Sequence, residues 1–174
     1  MSLKSTGFFS HPDCRKHEMG AGHPECPERL AVIDDHLLYI GLSDVLAQYS
    51  APLAALSSLE LAHSHQHIAT LRGLGDLLMD EIDAGGPTHA QIDPDTSINV
   101  YTWQAALRAA GAAVAATDAV IGGEIANAFC SVRPPGHHAE TDKAMGFCFF
   151  NNVAIAAKYA LDRHRLKRVA IVDF

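Results

Sequence analysis

The segment 128–173 constrains the fold most, because two short apolar runs in it flank a helical pattern. The first run, residues 128–132, and the last, residues 168–173, are typical of buried strands. The pattern that begins at Asn151 and ends near His164 predicts a helix between them. Strand, helix and strand in this order form a right-handed unit with parallel strands, and continuous apolar strands indicate a sheet that is buried on both faces. The sequence therefore predicts an α/β fold.

Two adjacent histidines, His137 and His138, lie on the loop that leaves the first of these strands. They follow an Arg-Pro-Pro-Gly run at residues 133–136, which stiffens the chain and then lets it turn. Ligands of open α/β sheets bind beyond the carboxyl ends of the strands, and Asp173 ends the second strand at the same edge. Because imidazoles titrate near neutral pH and a carboxylate can orient them, the pattern indicates proton transfer. The structural alternatives are surface histidines and an Asp173 that caps the next turn.

The composition excludes several classes of protein. A chain of 174 residues suffices for one domain with a core. The net charge of −7 argues against non-specific binding to nucleic acid, which needs a basic face. No apolar run approaches the roughly 20 residues that span a bilayer. The first five residues lack a signal-peptide apolar region, so we expect a cytoplasmic protein whose four cysteines are free thiols.

The N-terminal loop, residues 10–27, carries a second candidate site. Cys14, His17, His23 and Cys26 have the ligand types of a small zinc knuckle, although the spacing is unusual. The alternative is a structured loop that packs near the active edge. A helix should follow from Pro27, since proline fits the first helical position.

The middle of the chain carries two further stretches of interest. The His-Ser-His-Gln-His run at residues 63–67 leads into a helical pattern, so we expect mostly surface histidines, with His63 the candidate for the interior. Residues 91–99 are typical of a loop, and Asp95 within them is typical of turn chemistry. Residues 103–121 predict a long alanine-rich helix that packs closely on a sheet.

Three motifs near the C-terminal end carry a family resemblance. They are RPPGHHA at residues 133–139, GFCFFN at residues 146–151 and VAIVD at residues 169–173. Together they closely resemble the zinc-dependent histone deacetylase superfamily, most of all its class II branch and the bacterial deacetylase-like, acetoin-utilization and acetylpolyamine amidohydrolase proteins. HPE at residues 23–25, PER at 27–29 and the helix around 105–113 fit the same pattern. The resemblance covers essentially the whole chain and implies a three-layer arginase/deacetylase-like fold with a mostly parallel central sheet, of which this is the N-terminal part.

The resemblance also implies roles for particular residues. His138 would be the general base that activates water at the zinc and then the acid that protonates the leaving amine. His137 would be its electrostatic partner, hydrogen-bonded to Asp173. Gly146 and Phe147 would line the narrow tunnel that grips the acyl-lysine side chain.

The resemblance also assigns roles to two further residues and implies two ions. Asp95 falls in the loop that contacts substrate in relatives, and Arg29 matches the arginine beneath the metal site. The resemblance implies a zinc cofactor whose ligands would follow Phe174, so we expect no metal ligand within this chain. Relatives also hold a monovalent cation, potassium, near the position of Asp173, and the sequence leaves open whether one binds here.

We therefore expect residues 1–174 to be the N-terminal portion of a single deacetylase domain, inactive as an isolated piece. The complete protein would hydrolyse acetyl-lysine or a related N-acetyl amide, on an acetylated protein or a small acetylated amine. The alternative is a catalytically inactive deacetylase-like fragment that acts as a binding or assembly module. Nucleic acid and membrane are not expected partners, and the sequence leaves the oligomeric state open.

Overall fold

The computed structural model describes residues 5–174 and builds them around a parallel sheet. The strands are β1 (Thr6–Ser10), β2 (Ala47–Ser50), β3 (His89–Asp93), β4 (Thr96–Asn99) and β5 (Asn127–Cys130). The α-helices are α1 (Glu28–Tyr39), α2 (Leu56–Leu59), α3 (His65–Asp83), α4 (Thr102–Ile121) and α5 (Asn152–Asp162). Residues 1–4 lie outside the described part, and with them most of the segment that predicts a cytoplasmic protein. No helix among residues 5–174 combines the length and the apolar character needed to cross a membrane.

The sheet has the order β2-β1-β5, and β1 runs parallel to both neighbours. Phe9 of β1 pairs with Tyr49 on one side and with Cys130 on the other. Because the strands are parallel, the chain leaves β1 and β5 at the same edge of the sheet. The expected α/β class is therefore confirmed, and the edge that follows β5 is where the histidines begin.

Helix α4 packs closely on this sheet because its facing residues are small. Ala112, Ala116 and Ala119 form a buried cluster with Phe9 and Ile125. A Cβ atom on Gly111 would lie 2.0 Å from the carbonyl oxygen of Pro52, so only glycine lets the helix meet the chain that leaves β2. The predicted alanine-rich helix is confirmed in both position and packing.

A second buried cluster fastens the segment that precedes α5. Phe149 and Phe150 are almost fully buried and pack among apolar side chains of α3 and α4. These two rings anchor the tunnel loop, defined as residues 139–151, from beneath. The loop is therefore held by the core at its C-terminal end.

Residues 91–99 do not form the predicted loop. They form most of an antiparallel hairpin of β3 and β4, with Asp95 in its turn and a register shift between Gln91 and Asp93. All four residues of β4 are buried. Turn residues in this stretch do indicate a chain reversal, but pairing between the flanking runs turns that reversal into a hairpin.

The predicted strand at residues 168–173 is also wrong. These residues form no strand, and Val172 is 81% exposed. An open groove of about 550 Å³ is lined by β5, α4 and α5 on one side and by Leu166 and Val169–Val172 on the other. A strand exists only where its backbone bonds to a neighbour, and this segment makes no ladder with β5.

Candidate active site

The histidine loop, defined as residues 131–138, begins where β5 ends. The imidazole rings of His137 and His138 lie side by side, with their centroids 4.2 Å apart. His137 Nδ1 donates a hydrogen bond to Asp173 Oδ1 at 3.1 Å. The pair predicted from the sequence is thus brought together, although Asp173 reaches it from an extended segment and not from a strand. This bond leaves His137 Nε2 unprotonated when the ring is neutral.

Gly146 and Phe147 both adopt left-handed backbone conformations, with φ values of 56° and 69°. A Cβ atom on Gly146 would lie 2.8 Å from two ring carbons of His138, so the glycine backbone contacts that imidazole directly. Because Phe147 lacks the conformational freedom of glycine, its left-handed backbone conformation costs about 1–3 kcal/mol. Its backbone N–H is held by Thr96 Oγ1 of β4 at 3.0 Å.

These residues share one open cavity of about 350 Å³. Its lining comprises Pro24, Glu25, Arg29, Pro135, His137, His138, Gly146 and Phe147. The histidine pair, both predicted tunnel residues and Arg29 are therefore gathered at one place. Arg29 is half exposed and lies 3.4 Å from Glu25 through its guanidinium Nη1.

Asp95 does not line this cavity and lies in the turn of the hairpin. Hydrogen bonding with Asp93 and then with the Thr96 hydroxyl lowers the pKa of its carboxyl. His23 Nε2 donates to the Asp95 carbonyl oxygen at 3.2 Å, and the His23 ring meets the Phe147 ring edge-on at 4.7 Å. The hairpin is thus tied to Phe147 by two routes.

Beneath the cavity lies a buried charged group that the sequence patterns do not predict. The guanidinium of Arg133 is fully buried and binds both carboxylate oxygens of Glu25, while its Nη1 donates to the carbonyl oxygens of Cys14 and His17. Burial, and then the positive charge of Arg133, lowers the pKa of His17 to about 3. An arginine before two prolines carries no sign of burial in the sequence, so only the resemblance pointed to this region.

The zinc-knuckle alternative finds no support in the described chain. Within residues 5–174, no three His, Cys, Asp or Glu side chains are grouped as a metal site. His17 Nδ1 is instead 2.9 Å from the Thr102 hydroxyl, and the Cys14 carbonyl serves Arg133. Residues 10–27 therefore form a structured loop, which was the alternative to a zinc site.

Cys148, beside the tunnel residues, packs and is not a reactive thiol. It is fully buried, and its Sγ lies 3.2 Å from the Gly146 carbonyl oxygen. Burial raises the pKa of this thiol to about 11, which keeps it protonated near neutral pH.

The prediction of mostly surface histidines at residues 63–67 is wrong for one of the three. His65 is exposed, but His67 is buried together with His63 and contacts the tunnel loop. Their spacing of four residues, which puts both on one side of a helical turn, is the signal that could have found them.

Comparison with known proteins agrees with this geometry. A histone deacetylase domain model matches residues 23–174. A histone deacetylase-like amidohydrolase of Pseudomonas aeruginosa is 40% identical over 88% of this chain and 38% of its own length. A probable deacetylase of Archaeoglobus fulgidus is 37% identical over 97% of this chain and 44% of its own length. The mouse polyamine deacetylase HDAC10 is 40% identical over 86% of this chain and 22% of its own length.

A solved structure extends the likeness to three dimensions. The crystal structure of the HDA15 HD domain matches 92% of this chain and 44% of that chain, with a TM-score of 0.82 and 31% identity. The three-layer deacetylase-like fold class is thereby confirmed. The chain spans less than half the length of each of these relatives. With a domain model matched over most of its length, the chain belongs to the histone deacetylase family.

Proposed function

We propose that this chain supplies part of the active site of a zinc-dependent deacetylase that hydrolyses acetyl-lysine or a related N-acetyl amide. One observation carries the proposal. The cavity of about 350 Å³ gathers His137, His138, Gly146 and Phe147, and Asp173 is bonded to His137 beside it. Family membership supports the same reaction class.

The two histidines divide the proton transfers between them. His138 takes a proton from the attacking water and returns it to the departing amine, because an imidazole can do both near neutral pH. His137 stays oriented by its Nδ1–H bond to Asp173, and its ring centroid lies 4.2 Å from that of His138. The Asp173 carboxylate fixes the orientation of the His137 ring beside His138, so that His137 acts as the electrostatic partner of His138 as negative charge develops on the substrate.

The remaining candidate residues bind the substrate. Phe147 presents its ring at the cavity, where the methylenes of an acyl-lysine chain would pack on it. Gly146 has no side chain and so leaves room for the His138 ring at the cavity that would take the acyl group. Arg29 lines the same cavity, and Asp95, in the hairpin turn that contacts His23, would accept a hydrogen bond from the substrate backbone or amine.

Zinc, when bound, polarises the carbonyl and lowers the pKa of water. The described residues 5–174 do not supply three grouped ligands for it. We propose that this chain is the N-terminal portion of a single deacetylase domain and that the ligands follow Phe174. The partial coverage of the relatives supports that arrangement. We extend the proposal to a potassium ion near Asp173, as the family resemblance implies.

The substrate class extends to acetylated proteins and small acetylated amines. The names of relatives that are polyamine deacetylases support the second group, and the histone deacetylase domain supports the first. We further propose that the protein acts in the cytoplasm and binds neither nucleic acid nor membrane.

A test uses the full-length protein with an acetyl-lysine peptide and an N-acetylpolyamine as alternative substrates. We expect about one zinc per chain, hydrolysis of one substrate, and loss of activity with a chelator. His138→Ala should lower kcat by about 10²–10⁴-fold, the usual effect of losing a general acid–base group. His65→Ala, at an exposed histidine outside the cavity, is the matched control and should leave kcat unchanged.

Other outcomes would contradict the proposal. An unchanged rate for His138→Ala would reject the assignment of the histidine pair. Binding of an acetylated ligand without turnover, and without zinc, would instead identify a deacetylase-like binding or assembly module.

A further inference from the structure

Two buried histidines contact the backbone of the tunnel loop without lining the cavity. His63 and His67 flank the start of α3, are 3% and 6% exposed, and stack with their ring centroids 5.0 Å apart. Buried imidazole nitrogens are normally hydrogen-bonded, and both histidines have backbone partners in the tunnel loop.

The partners determine the protonation of His63. Its Nε2 accepts a hydrogen bond from the Asn151 backbone N–H at 2.8 Å, so this nitrogen carries no proton. Its Nδ1 therefore carries the proton and donates to the Thr141 carbonyl oxygen at 3.3 Å. Burial, and then the neighbouring His67, lowers the pKa of His63 and keeps it neutral. Lys158 of α5 acts in the same direction.

His67 also bonds the backbone of the tunnel loop. Its Nε2 donates to the Phe149 carbonyl oxygen at 2.9 Å. The two histidines thus hold the loop at Thr141 and on either side of Phe150. Gly146 and Phe147 lie between these fixed points.

The side chain of Asn151 connects the tunnel loop to the histidine loop. Its side-chain oxygen accepts from the Ala154 N–H at 3.0 Å and caps α5. Its side-chain nitrogen donates to the carbonyl oxygens of Ala139 at 3.1 Å and His137 at 3.4 Å. One residue therefore joins His63, the start of α5 and the backbone of the tandem histidines.

We propose that His63, acting through Asn151 and stacked against His67, is a positioning residue that sets the location of His137 and His138. The inference rests on the proposed function for its effect on rate, but its structural part does not. Misplacing a catalytic group by about 1 Å can cost 10²-fold in rate, so a hydrogen bond to the backbone of His137 can matter without touching substrate.

Asn151→Asp is the deciding variant. Aspartate keeps the oxygen that caps α5, since Asp and Asn are comparable N-caps. It removes the two donors and sets a negative charge against the carbonyl oxygens of Ala139 and His137. In the full-length protein we expect kcat to fall at least about 10-fold with KM changed less than about 2-fold, because positioning affects the reacting geometry more than binding.

Gly41→Ala is the stability control. Gly41 has a positive φ of 73° with open space where its Cβ would go, and its N–H donates to the Leu38 carbonyl oxygen, outside the network of His63 and Asn151. We expect this variant to lower the melting temperature but to leave kcat unchanged. A purely structural role would instead make kcat follow the melting temperature in both variants, which would overturn the proposal.

A second pair of variants separates hydrogen bonding from packing. His63→Gln keeps an acceptor that can reach the Asn151 N–H, whereas His63→Leu fills similar space without one. We expect the Gln variant to recover most of the kcat that the Leu variant loses. Equal kcat values in the two would overturn the role assigned to the hydrogen bond.

Nitrogen-15 chemical shifts of the His137 ring provide a readout that needs no turnover, because they report which ring nitrogen carries the proton. We expect Asn151→Asp to change these shifts and Gly41→Ala to leave them unchanged. If the wild-type protein hydrolyses no acetyl substrate but the shifts behave in this way, the proposed function fails and the positioning stands. Unchanged shifts in Asn151→Asp would reject the positioning itself.

Discussion

Gly146 illustrates how a single residue controls the histidine pair. Its backbone lies against the ring of His138, and a Cβ atom would approach two ring carbons to 2.8 Å. Its φ of 56° adds a cost of about 1–2 kcal/mol for any residue with a side chain. Space and conformation therefore both require glycine here.

Gly146→Ala should push the His138 ring out of line and lower kcat by 10-fold or more, because misplacement of a proton-transfer group by about 1 Å costs up to 10²-fold. Steady-state kinetics on the full-length protein check this. Gly41→Ala is the matched control, since Gly41 also has a positive φ of 73° but has open space where its Cβ would go. It should lose a similar amount of conformational stability and keep kcat. Equal kcat values for the two variants would refute the steric argument.

At the scale of elements, the β3–β4 hairpin supports the backbone of Phe147. Thr96 is fully buried, and its hydroxyl accepts from the Phe147 N–H at 3.0 Å and donates to Asp95 Oδ1 at the same distance. This is the contact that holds Phe147 at its positive φ. The hairpin thus contributes geometry to the cavity without lining it.

Thr96→Val removes the acceptor and nearly preserves the shape. The Phe147 N–H is then left without its partner, at a cost of about 1–3 kcal/mol in unfolding free energy. We expect KM for an acyl-lysine substrate to rise several-fold, because the Phe147 ring loses its fixed orientation. Thr117→Val in α4 removes a hydroxyl that bonds only the Ala113 carbonyl, and it should leave KM unchanged. Denaturant unfolding and kinetics on both variants provide the comparison.

Elements that depend on local pattern could be predicted from the sequence, whereas those that depend on a partner could not. Helices α4 and α5 follow from local pattern and lie where predicted. The stretch that ends at Asp173 has the composition of a strand, yet a strand also needs a neighbouring backbone, which no composition reports. The contact of Asp173 with His137 is present although the segment is not paired into the sheet, and the family resemblance implies it without any strand pairing.

Burial of charged groups marks a second limit of sequence reasoning. Arg133 and Glu25 stand 108 residues apart and have no apolar context that signals an interior position. Arginine and glutamate are rarely buried unless paired, and a pair across such a distance is visible only in the fold. The motifs pointed to residues that the fold gathers at one cavity, but the buried charged pair beside them could not be predicted.

At the scale of the whole molecule, this support joins the N-terminal loop to the histidine loop. Arg133 bonds the carbonyl oxygens of Cys14 and His17 as well as the Glu25 carboxylate. His17 Nε2 lies 3.6 Å from a Glu25 oxygen, but the Glu25 charge is already matched by Arg133. Burial therefore dominates the titration of His17 and keeps it neutral.

The pH dependence of global stability should reflect this neutral histidine. Its pKa falls from an ordinary 6.5 to about 3 in the folded protein, through burial first and then the charges of Arg133, His23 and His89. Between these values the unfolded chain binds a proton that the folded chain does not, so acid favours unfolding. Stability attributable to His17 is fully present above about pH 6.5 and is lost as the pH falls towards 3, at up to about 1.4 kcal/mol per pH unit.

Urea unfolding of the wild type and of His17→Asn between pH 7 and pH 5 measures this contribution. Asparagine can still bond the Thr102 hydroxyl but does not titrate, so the variant should show a flatter dependence of unfolding free energy on pH, whatever its absolute stability. His65→Asn, at the exposed histidine, should keep the wild-type slope. Identical slopes for wild type and His17→Asn would mean that His17 is protonated in the folded state and that Glu25 bonds it. The charge balance beneath the cavity would then be shared by three groups and not two.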